Sequence, residues 1–176
     1  MAISYPDKTN AEGIWKLSNI TKNIKTEGTW PNAGVRALIG GGNRSSPGAS
    51  QNNIEYVIIN VLGNGTDFGD LSVTRDNLGG AGNHTRALWS GGHNSGTTYN
   101  TIDYVTSSTL GNAADFGNLT VARRQTNALA NNIRGVFAGS RQPGAGDVID
   151  YVTIATTGDA VDFGDLTVAR WGTSTC

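Results

Sequence analysis

The stretch GNAADFGNLTVARRQTNALANNIRGVFAG (residues 111–139) occurs almost a second time in the same chain, and in part a third time. The earlier version is GNGTDFGDLSVTRDNLGGAGNHTRALWSG (63–91), and the later one is GDAVDFGDLTVAR (158–170). Matching residues such as Phe68, Phe116 and Phe163 are spaced by 48 positions and then by 47. A period of this length is typical of repeat architectures whose units bury their faces against neighbours, so the fold has to explain the repeat first.

Within one copy, apolar and polar residues alternate at the two-residue period of a β-strand. In NTIDYVTSS (100–108), Ile102 and Tyr104 fall on one face of the predicted strand, and Asp103 and Val105 fall on the other. The other strands predicted for this copy are RALWSGG (86–92), NLTVAR (118–123) and the weaker QTNALANN (125–132). Each copy is therefore expected to contain four antiparallel strands.

The composition fits short strands joined by tight turns and narrows the classes of function. Among 176 residues there are 25 glycines, and 13 basic residues nearly balance 14 acidic ones. Because the net charge is only −1, no basic surface indicates a nucleic-acid partner. No apolar run is long enough to insert into a membrane, and the start MAISYPDKTN (1–10) lacks the features of a secretory signal. The single cysteine, Cys176, excludes an internal disulfide.

Residues 1–33 lie outside the repeat and form a separate arm. Ile14, Leu17 and Ile24 recur at roughly helical spacing, which predicts a short amphipathic helix. We expect this arm to dock onto another protein or onto a second copy of the chain. The candidate docking residues are Ile14, Trp15, Leu17 and Trp30.

The order of signals within a copy is an arginine, an apolar strand, a glycine pair, a loop, an EYV or DYV triplet, a DFG turn and a second arginine. This order resembles the kelch repeat of β-propellers over residues 34–176. The resemblance implies an all-β fold of three kelch-like, four-stranded propeller blades, at about 34–85, 86–133 and 134–176. The repeats depart from kelch in having Phe where kelch usually has Trp, and in lacking a full glycine pair beside Gly139. A three-sheet β-prism is the alternative architecture.

Two longer phrases resemble proteins of tailed phages. IDYVTIATTGDAVDFGDLTVAR (149–170) is similar to tandem units in structural proteins of marine and cyanobacterial phages, and GIWKLSNITKNIKTEGTWP (13–31) is similar to a phrase of phage tail-fibre proteins. The resemblance implies a virion component such as a fibre, spike, tail or capsid decoration. Such a protein is assembled in the host cytoplasm and is extracellular on the released particle.

The residues that recur between copies are expected to have structural roles. We expect the glycines to allow close backbone approach, the tyrosines to pack between blades and the phenylalanines to close the outer edge of that space. The arginines are expected to bind loop carbonyls or the nearby Asp67, Asp115 and Asp162. The recurring residues are Gly41, Gly42, Gly91, Gly92, Gly139, Tyr56, Tyr104, Tyr151, Phe68, Phe116, Phe163, Arg75, Arg123 and Arg170.

No catalytic constellation stands apart from the repeat, so we expect a protein that is not an enzyme and needs no cofactor. The DFG triplets lack the catalytic loop and strand lysine of a kinase. His84 and His93 do not recur, so neither an imidazole cluster nor a Ser-His-Asp triad is indicated. Calcium bound by the Asp- and Asn-rich turns is an alternative, although their spacing is not that of an EF-hand.

Three copies are fewer than the four to eight blades of a usual propeller. RWGTSTC (170–176) matches the opening strand of a fourth copy, so we expect neighbouring chains to complete one another as a homo-oligomeric dimer or trimer. Other virion proteins are further expected partners. The alternative function is a receptor- or carbohydrate-binding module for host attachment, with host-surface glycan contacted by loop residues Asn43, His93, Tyr99 and Arg141.

Overall fold

The computed structural model of the chain describes residues 36–45, 48–141 and 145–175. All regular secondary structure in these ranges is β, and it is organised in antiparallel sheets. The predicted all-β class is therefore confirmed for this part of the chain. The predicted arm, its helix and the docking residues Ile14, Trp15, Leu17 and Trp30 lie outside the described residues, as does Cys176. No helix within the described ranges is long and apolar enough to cross a membrane.

The strands are short and follow one another closely along the chain, as a sequence rich in glycine turns requires. In chain order they are β1 Arg36–Gly40, β2 Asn43–Arg44, β3 Ala49–Ser50, β4 Asn53–Ile58, β5 Thr66–Asp70, β6 Gly79–Gly82, β7 Arg86–Ser90, β8 His93–Asn94, β9 Thr97–Thr98, β10 Thr101–Thr106, β11 Ala114–Asn118, β12 Asn127–Ala130, β13 Arg134–Arg141, β14 Ala145–Thr153 and β15 Val161–Asp165.

Three larger sheets contain most of these strands. The first sheet has the order β1-β4-β5, the second β6-β7-β10-β11 and the third β12-β13-β14-β15. Each of the three is an antiparallel meander. The short hairpins β2–β3 and β8–β9 follow the glycine turns of the first two sheets, and in the third sheet the long strands β13 and β14 themselves occupy the equivalent position.

The boundaries of the sheets differ from the predicted boundaries of the sequence repeats. Strands β6 and β12 lie at the ends of the copies 34–85 and 86–133, but they pair with the next copy as the opening strands of the second and third sheets. The matching position for the first sheet falls before Arg36, outside the described residues. The first sheet therefore has three described strands, whereas the other two have four.

A register shift occurs at the same place in every sheet. It lies between Ile54 and Glu55 in the first sheet, and at the equivalent pair of residues in the other two. Such a bulge redirects the side chains on either side of it. Next to each bulge, a tyrosine packs edge-to-face on a phenylalanine with ring centroids 5.7–6.1 Å apart. The aromatic pairs are Tyr56–Phe68, Tyr104–Phe116 and Tyr151–Phe163.

Two apolar clusters form the core, one at each junction between successive sheets. At the first junction, Phe68 of the first sheet packs in one cluster with Trp89 and Val105 of the second. At the second junction, Phe116 of the second sheet packs with Phe137 of the third. The second sheet thus buries both of its faces.

Candidate functional site

An ion pair with no exposed surface joins the first sheet to the second. The Arg75 guanidinium, which follows β5, donates through Nη2 to Asp103 Oδ2 at 3.1 Å and to the Trp89 carbonyl at 3.2 Å. Asp103 lies at the bulge of β10 and also accepts hydrogen bonds from the Ser72 backbone N–H and hydroxyl, at 3.0 and 2.6 Å. The hydrogen bonds to this carboxylate thus all come from residues of the preceding repeat.

The junction between the second and third sheets repeats this arrangement. Arg123 Nη2 lies 2.9 Å from Asp150 Oδ2, and it donates to the Phe137 carbonyl at 3.2 Å. Thr120 takes the place of Ser72 and donates to Asp150 through its backbone N–H and its hydroxyl. Burial lowers the pKa of both guanidinium groups, and the charge of the paired aspartate partly offsets that effect.

Of the two kinds of partner expected for the repeated arginines, Arg75 and Arg123 do bind backbone carbonyls, but they do not bind the nearby DFG aspartates. Asp67, Asp115 and Asp162 are exposed, and the last two accept hydrogen bonds from backbone N–H groups two residues further on. The true partners belong to the DYV triplets. The sequence signal that identifies them was present, because an acidic residue recurs at 55, 103 and 150 with the period of the repeat.

The third arginine and the first acidic residue do not form such a pair within the described residues. Arg170 is exposed, and its Nε donates to the Val168 carbonyl at 3.2 Å. Glu55, at the bulge of β4, is also exposed and accepts from Asn53 Nδ2 at 3.4 Å. Within the described ranges, the arginine of the repeated ion pair is therefore present without its acidic partner just after the third sheet, and the acidic residue is present without its arginine on the first sheet.

Equivalent apolar side chains are likewise buried at the two internal junctions and exposed on the outer sides of the first and third sheets. Phe68 and Phe116 are 3% and 2% exposed, whereas Phe163 is 54% exposed. On the other side of the repeat, Trp89 and Phe137 are 4% and 0% exposed, but Ile39 at the equivalent position is 58% exposed. The expectation that all three phenylalanines close the space between sheets therefore fails at Phe163.

Among the residues that the structure describes, two surfaces of the sheet stack are consequently left uncovered. We call the side of the first sheet that carries Ile39, Glu55 and Val57 the front face. The side of the third sheet that carries Tyr151 and Phe163, together with the following segment 166–171, is the rear face. A groove of about 510 Å³ lies on the front face, and Ile39, Asn53 and Glu55 are among its lining residues.

Backbone hydrogen bonds also recur at the two internal junctions. The N–H groups of Gly111 and Ala113 donate to the carbonyls of Phe68 and Asp70 at 2.9 and 2.7 Å. At the second junction, Gly158 and Ala160 donate to Phe116 and Asn118, both at 2.7 Å. The equivalent carbonyls on the rear face are those of Phe163 and Asp165, and the equivalent N–H groups on the front face are those of Gly63 and Gly65.

A third repeated link uses the arginines that begin β1, β7 and β13. Arg36 and Arg86 lie over the rings of Tyr56 and Tyr104, at 4.7 and 4.6 Å from the centroids. Each then donates through Nη1 to a carbonyl of the next repeat: Arg36 to Ser107 at 3.0 Å, and Arg86 to Ile154 at 2.8 Å. Arg134 lies over Tyr151 at 4.5 Å and is exposed on the rear face.

The glycine turns support the segments that carry these arginines. Gly41, Gly91 and Gly139 have φ angles of 66°, 64° and 68°. A Cβ at Gly41 would lie 2.8 Å from the Arg75 carbonyl, and one at Gly139 would lie 3.0 Å from that of Arg170. The next residue in each turn donates its N–H to the arginine carbonyl, at 2.9–3.1 Å. The donors are Gly42 to Arg75, Gly92 to Arg123 and Ser140 to Arg170.

The predicted ligand-contact residues lie in or beside the hairpins, where they make internal contacts. Asn43 Nδ2 donates to the Asp76 carboxylate at 2.9 Å, and His93 exchanges two backbone hydrogen bonds of 2.9 Å with Asp76. The Tyr99 carbonyl accepts from the Arg123 N–H at 3.1 Å. The Arg141 N–H donates to the Arg124 carbonyl at 2.9 Å.

The two hairpins contain residues that change the pKa of the Asp76 carboxylate. Burial by itself would raise the pKa of Asp76, but hydrogen bonds from Asn43, Ser50 and Asn77 and the charge of His93 outweigh it, so that the pKa lies below its usual value. Within the described residues there is no group of three or more His, Cys, Asp and Glu side chains able to hold a metal ion.

Comparison with known protein families and with curated proteins identified no relative of this chain. No protein-family model matches the chain, and no curated protein matches it significantly.

Proposed function

We propose that this protein is a non-enzymatic structural component of a tailed-phage virion, such as a fibre, spike, tail or capsid decoration, and that it assembles as a homo-oligomer through incomplete β-repeats. The observation that carries the proposal is the mismatch between the ends of the sheet stack and its interior. Positions that are buried at both internal junctions, such as those of Phe116 and Phe137, are exposed at Phe163 and Ile39. Large apolar side chains left exposed at positions that are otherwise buried are candidates for protein–protein contact.

The sheets are best interpreted as kelch-like blades. A blade packs one face on the preceding blade and the other on the next, and the second sheet buries both its faces in this way. In a three-sheet prism, each sheet would instead direct one face to a common centre. The opening strands β6 and β12 also adjoin each other, and Asn83 just beyond β6 donates to the Asn132 carbonyl at 2.9 Å. Neighbouring opening strands are what a ring of blades places around its axis.

The titratable groups with shifted pKa support an architectural rather than a catalytic role. Shifted pKa values often mark active sites, but structural ion-pair networks produce them as well. Here Arg75 and Arg123 occupy equivalent positions in successive repeats, and each is buried against an aspartate of the next sheet. A chemical site has no need to be duplicated in this way, whereas a repeated junction does.

The loops favour assembly over the glycan-binding alternative. The Asn43 side-chain amide is bound to Asp76, and the Arg141 guanidinium lies over the Trp171 ring at 5.2 Å, so these two side chains already make contacts within the chain. The virion assignment itself rests on the phage-like phrases of the sequence, and the arm 1–33 is the proposed contact to other virion proteins.

The proposal is tested on the purified full chain and on phage particles. Light scattering and negative-stain electron microscopy should show a closed assembly of two or three chains. Antibodies against the chain should label intact particles of a phage that encodes it. A species with the mass of one chain at all concentrations, or labelling confined to particle-free lysate, would contradict the proposal.

A further inference from the structure

We infer that the rear face of one copy packs on the front face of another in the register of the internal junctions, with Arg170 of the first copy paired with Glu55 of the second. The inference rests on the proposed homo-oligomer and specifies its interface. It makes the contact head-to-tail, because the two faces consist of different residues. An interface of this type closes into a ring or continues as a filament.

Charge complementarity sets the register. Arg75 and Arg123 each bind the acidic residue at the bulge of the next sheet. Arg170 is the third member of the arginine series, and Glu55 is the first member of the acidic series. Thr167 matches Ser72 and Thr120, which supply the second donor to the carboxylate at the internal junctions. The rear face thus presents the full donor set of an internal junction, and the front face presents the acceptor.

The apolar surfaces match in the same register. At the second junction, the ring of Phe116 is covered by a cluster that includes Phe137, Val152 and Ile154. The residues at the corresponding positions of the front face are Ile39, Val57 and Ile59. Ile59 is 63% exposed and Ile39 is 58% exposed, while Phe163 on the rear face is 54% exposed. Docking the two faces would cover all three side chains in one contact.

Backbone groups complete the match. The internal junctions join carbonyls of the last strand of one sheet to N–H groups of the turn before the last strand of the next sheet. In the proposed interface, the carbonyls of Phe163 and Asp165 accept from Gly63 and Gly65 of the next copy. Arg134 then donates to the Ile59 carbonyl of that copy, as Arg36 and Arg86 do within the chain.

The experiment uses charge reversal in the full-length protein, with association measured by sedimentation velocity over a range of concentrations. Glu55→Arg and Arg170→Glu should each raise the dissociation constant about 100-fold or more, because each places like charges in a contact that becomes buried. The double variant Glu55→Arg/Arg170→Glu should recover association, since the pair is restored with its signs exchanged. Both positions are exposed in the single chain, so the variants should fold, and circular dichroism checks this.

Asp115→Arg is the matched control, because Asp115 is an exposed acidic residue at an internal junction. It should associate like the wild type. Mixing the two single variants gives a second readout: their unlike faces are complementary, so a two-chain ring re-forms, whereas a three-chain ring retains one mismatched contact.

The outcomes separate this interface from the proposed function. If the wild type assembles but the single variants associate equally well, or the double variant stays dissociated, the register is wrong and the homo-oligomer stands. If the wild type is a single chain at every concentration, both the interface and the proposed assembly are wrong.

Discussion

Arg75 Nη2 lies 3.1 Å from Asp103 Oδ2 in a contact where neither side chain has exposed surface, although the two residues belong to different sheets. The same relationship joins Arg123 to Asp150 at 2.9 Å. Because a buried charge is tolerated only when it is paired and hydrogen-bonded, each pair fixes the position of one sheet on the next. The repeat is thus coupled through specific ion pairs as well as through apolar packing.

Removing the carboxylate of Asp103 should destabilise the protein strongly. Asp103→Ala leaves the Arg75 guanidinium buried without its counter-charge, and the loss of one partner of a buried pair typically lowers the free energy of unfolding by about 3–5 kcal/mol. Urea denaturation measures the change. Asp115→Ala, at an exposed aspartate of the neighbouring strand, should change it by less than about 1 kcal/mol. Equal effects of the two substitutions would show that the buried pair does not hold the junction.

The carboxylate of Asp76 should make stability depend on pH below about pH 4. Its pKa is lowered in the folded protein, so the folded state binds a proton less readily than the unfolded chain. The resulting stabilisation is fully present above the unfolded pKa of about 3.9, and it is lost as the pH falls through the lower folded value. The difference in unfolding free energy between the wild type and Asp76→Asn should therefore shrink on acidification.

Denaturation curves between about pH 6 and about pH 2.5 test this dependence. Ser50→Ala is the matched variant, because it removes one hydrogen bond of 3.0 Å to Asp76 and leaves the carboxylate in place. It should weaken the pH dependence without abolishing it. A difference between wild type and Asp76→Asn that stays constant over the whole range would contradict the assignment.

The all-β class and the repeat could be predicted from sequence because both follow from local patterns. Alternation of apolar residues correctly marked the strand around Ile102 and Tyr104, and self-similarity needs no structure to detect. The strand predicted at NLTVAR (118–123) was wrong, because the DFG segment itself forms β11 (Ala114–Asn118) and the chain leaves the sheet after it. The strand with which β12 pairs could not be predicted in this way. The residues of QTNALANN specify a strand but carry no information on which neighbour it joins, so the sheet boundaries differed from the repeat boundaries.

The candidate site was only partly accessible to sequence reasoning. Asp115 is nearer to Arg123 along the chain than Asp150 is, and proximity in sequence suggested the wrong partner. The exposure of Phe163 could not be predicted at all, because its local sequence DFG is identical to that around Phe68 and Phe116. Burial of these rings is decided by the sheet that packs on them.

The equivalent phenylalanines should therefore respond differently to truncation. Phe116→Ala removes a ring that is 2% exposed and should lower the free energy of unfolding by about 3–5 kcal/mol. Phe163→Ala removes a ring that is 54% exposed and should lower it by less than about 1 kcal/mol in a single chain. Measurement in the Glu55→Arg background keeps association from masking the difference. Equal losses would contradict the description of Phe163 as a residue of an open face.

Gly117 and Gly164 occupy equivalent positions, but substitution of the first should affect stability and substitution of the second should affect assembly. Gly117 has a φ of 142°, and a Cβ there would collide with the Gly158 carbonyl in the turn between β14 and β15. Gly164 has a φ of 134°, but in the described part of the chain no atom beyond its own sequence neighbours lies within 4 Å of the position of its Cβ. The backbone strain of a substituted residue, about 1–3 kcal/mol, is common to Gly117→Ala and Gly164→Ala, whereas the collision affects only the first.

Denaturation should accordingly show that Gly117→Ala is the more destabilising substitution by at least about 1 kcal/mol. Gly164→Ala should instead weaken association in sedimentation velocity, because in the proposed interface its Cβ would meet the Gly63 carbonyl of the next copy. Gly172→Ala is the control for backbone strain alone, since Gly172 has a φ of 64° and an open Cβ position. If Gly164→Ala associated as tightly as the wild type, the rear face could not pack in the register of the internal junctions.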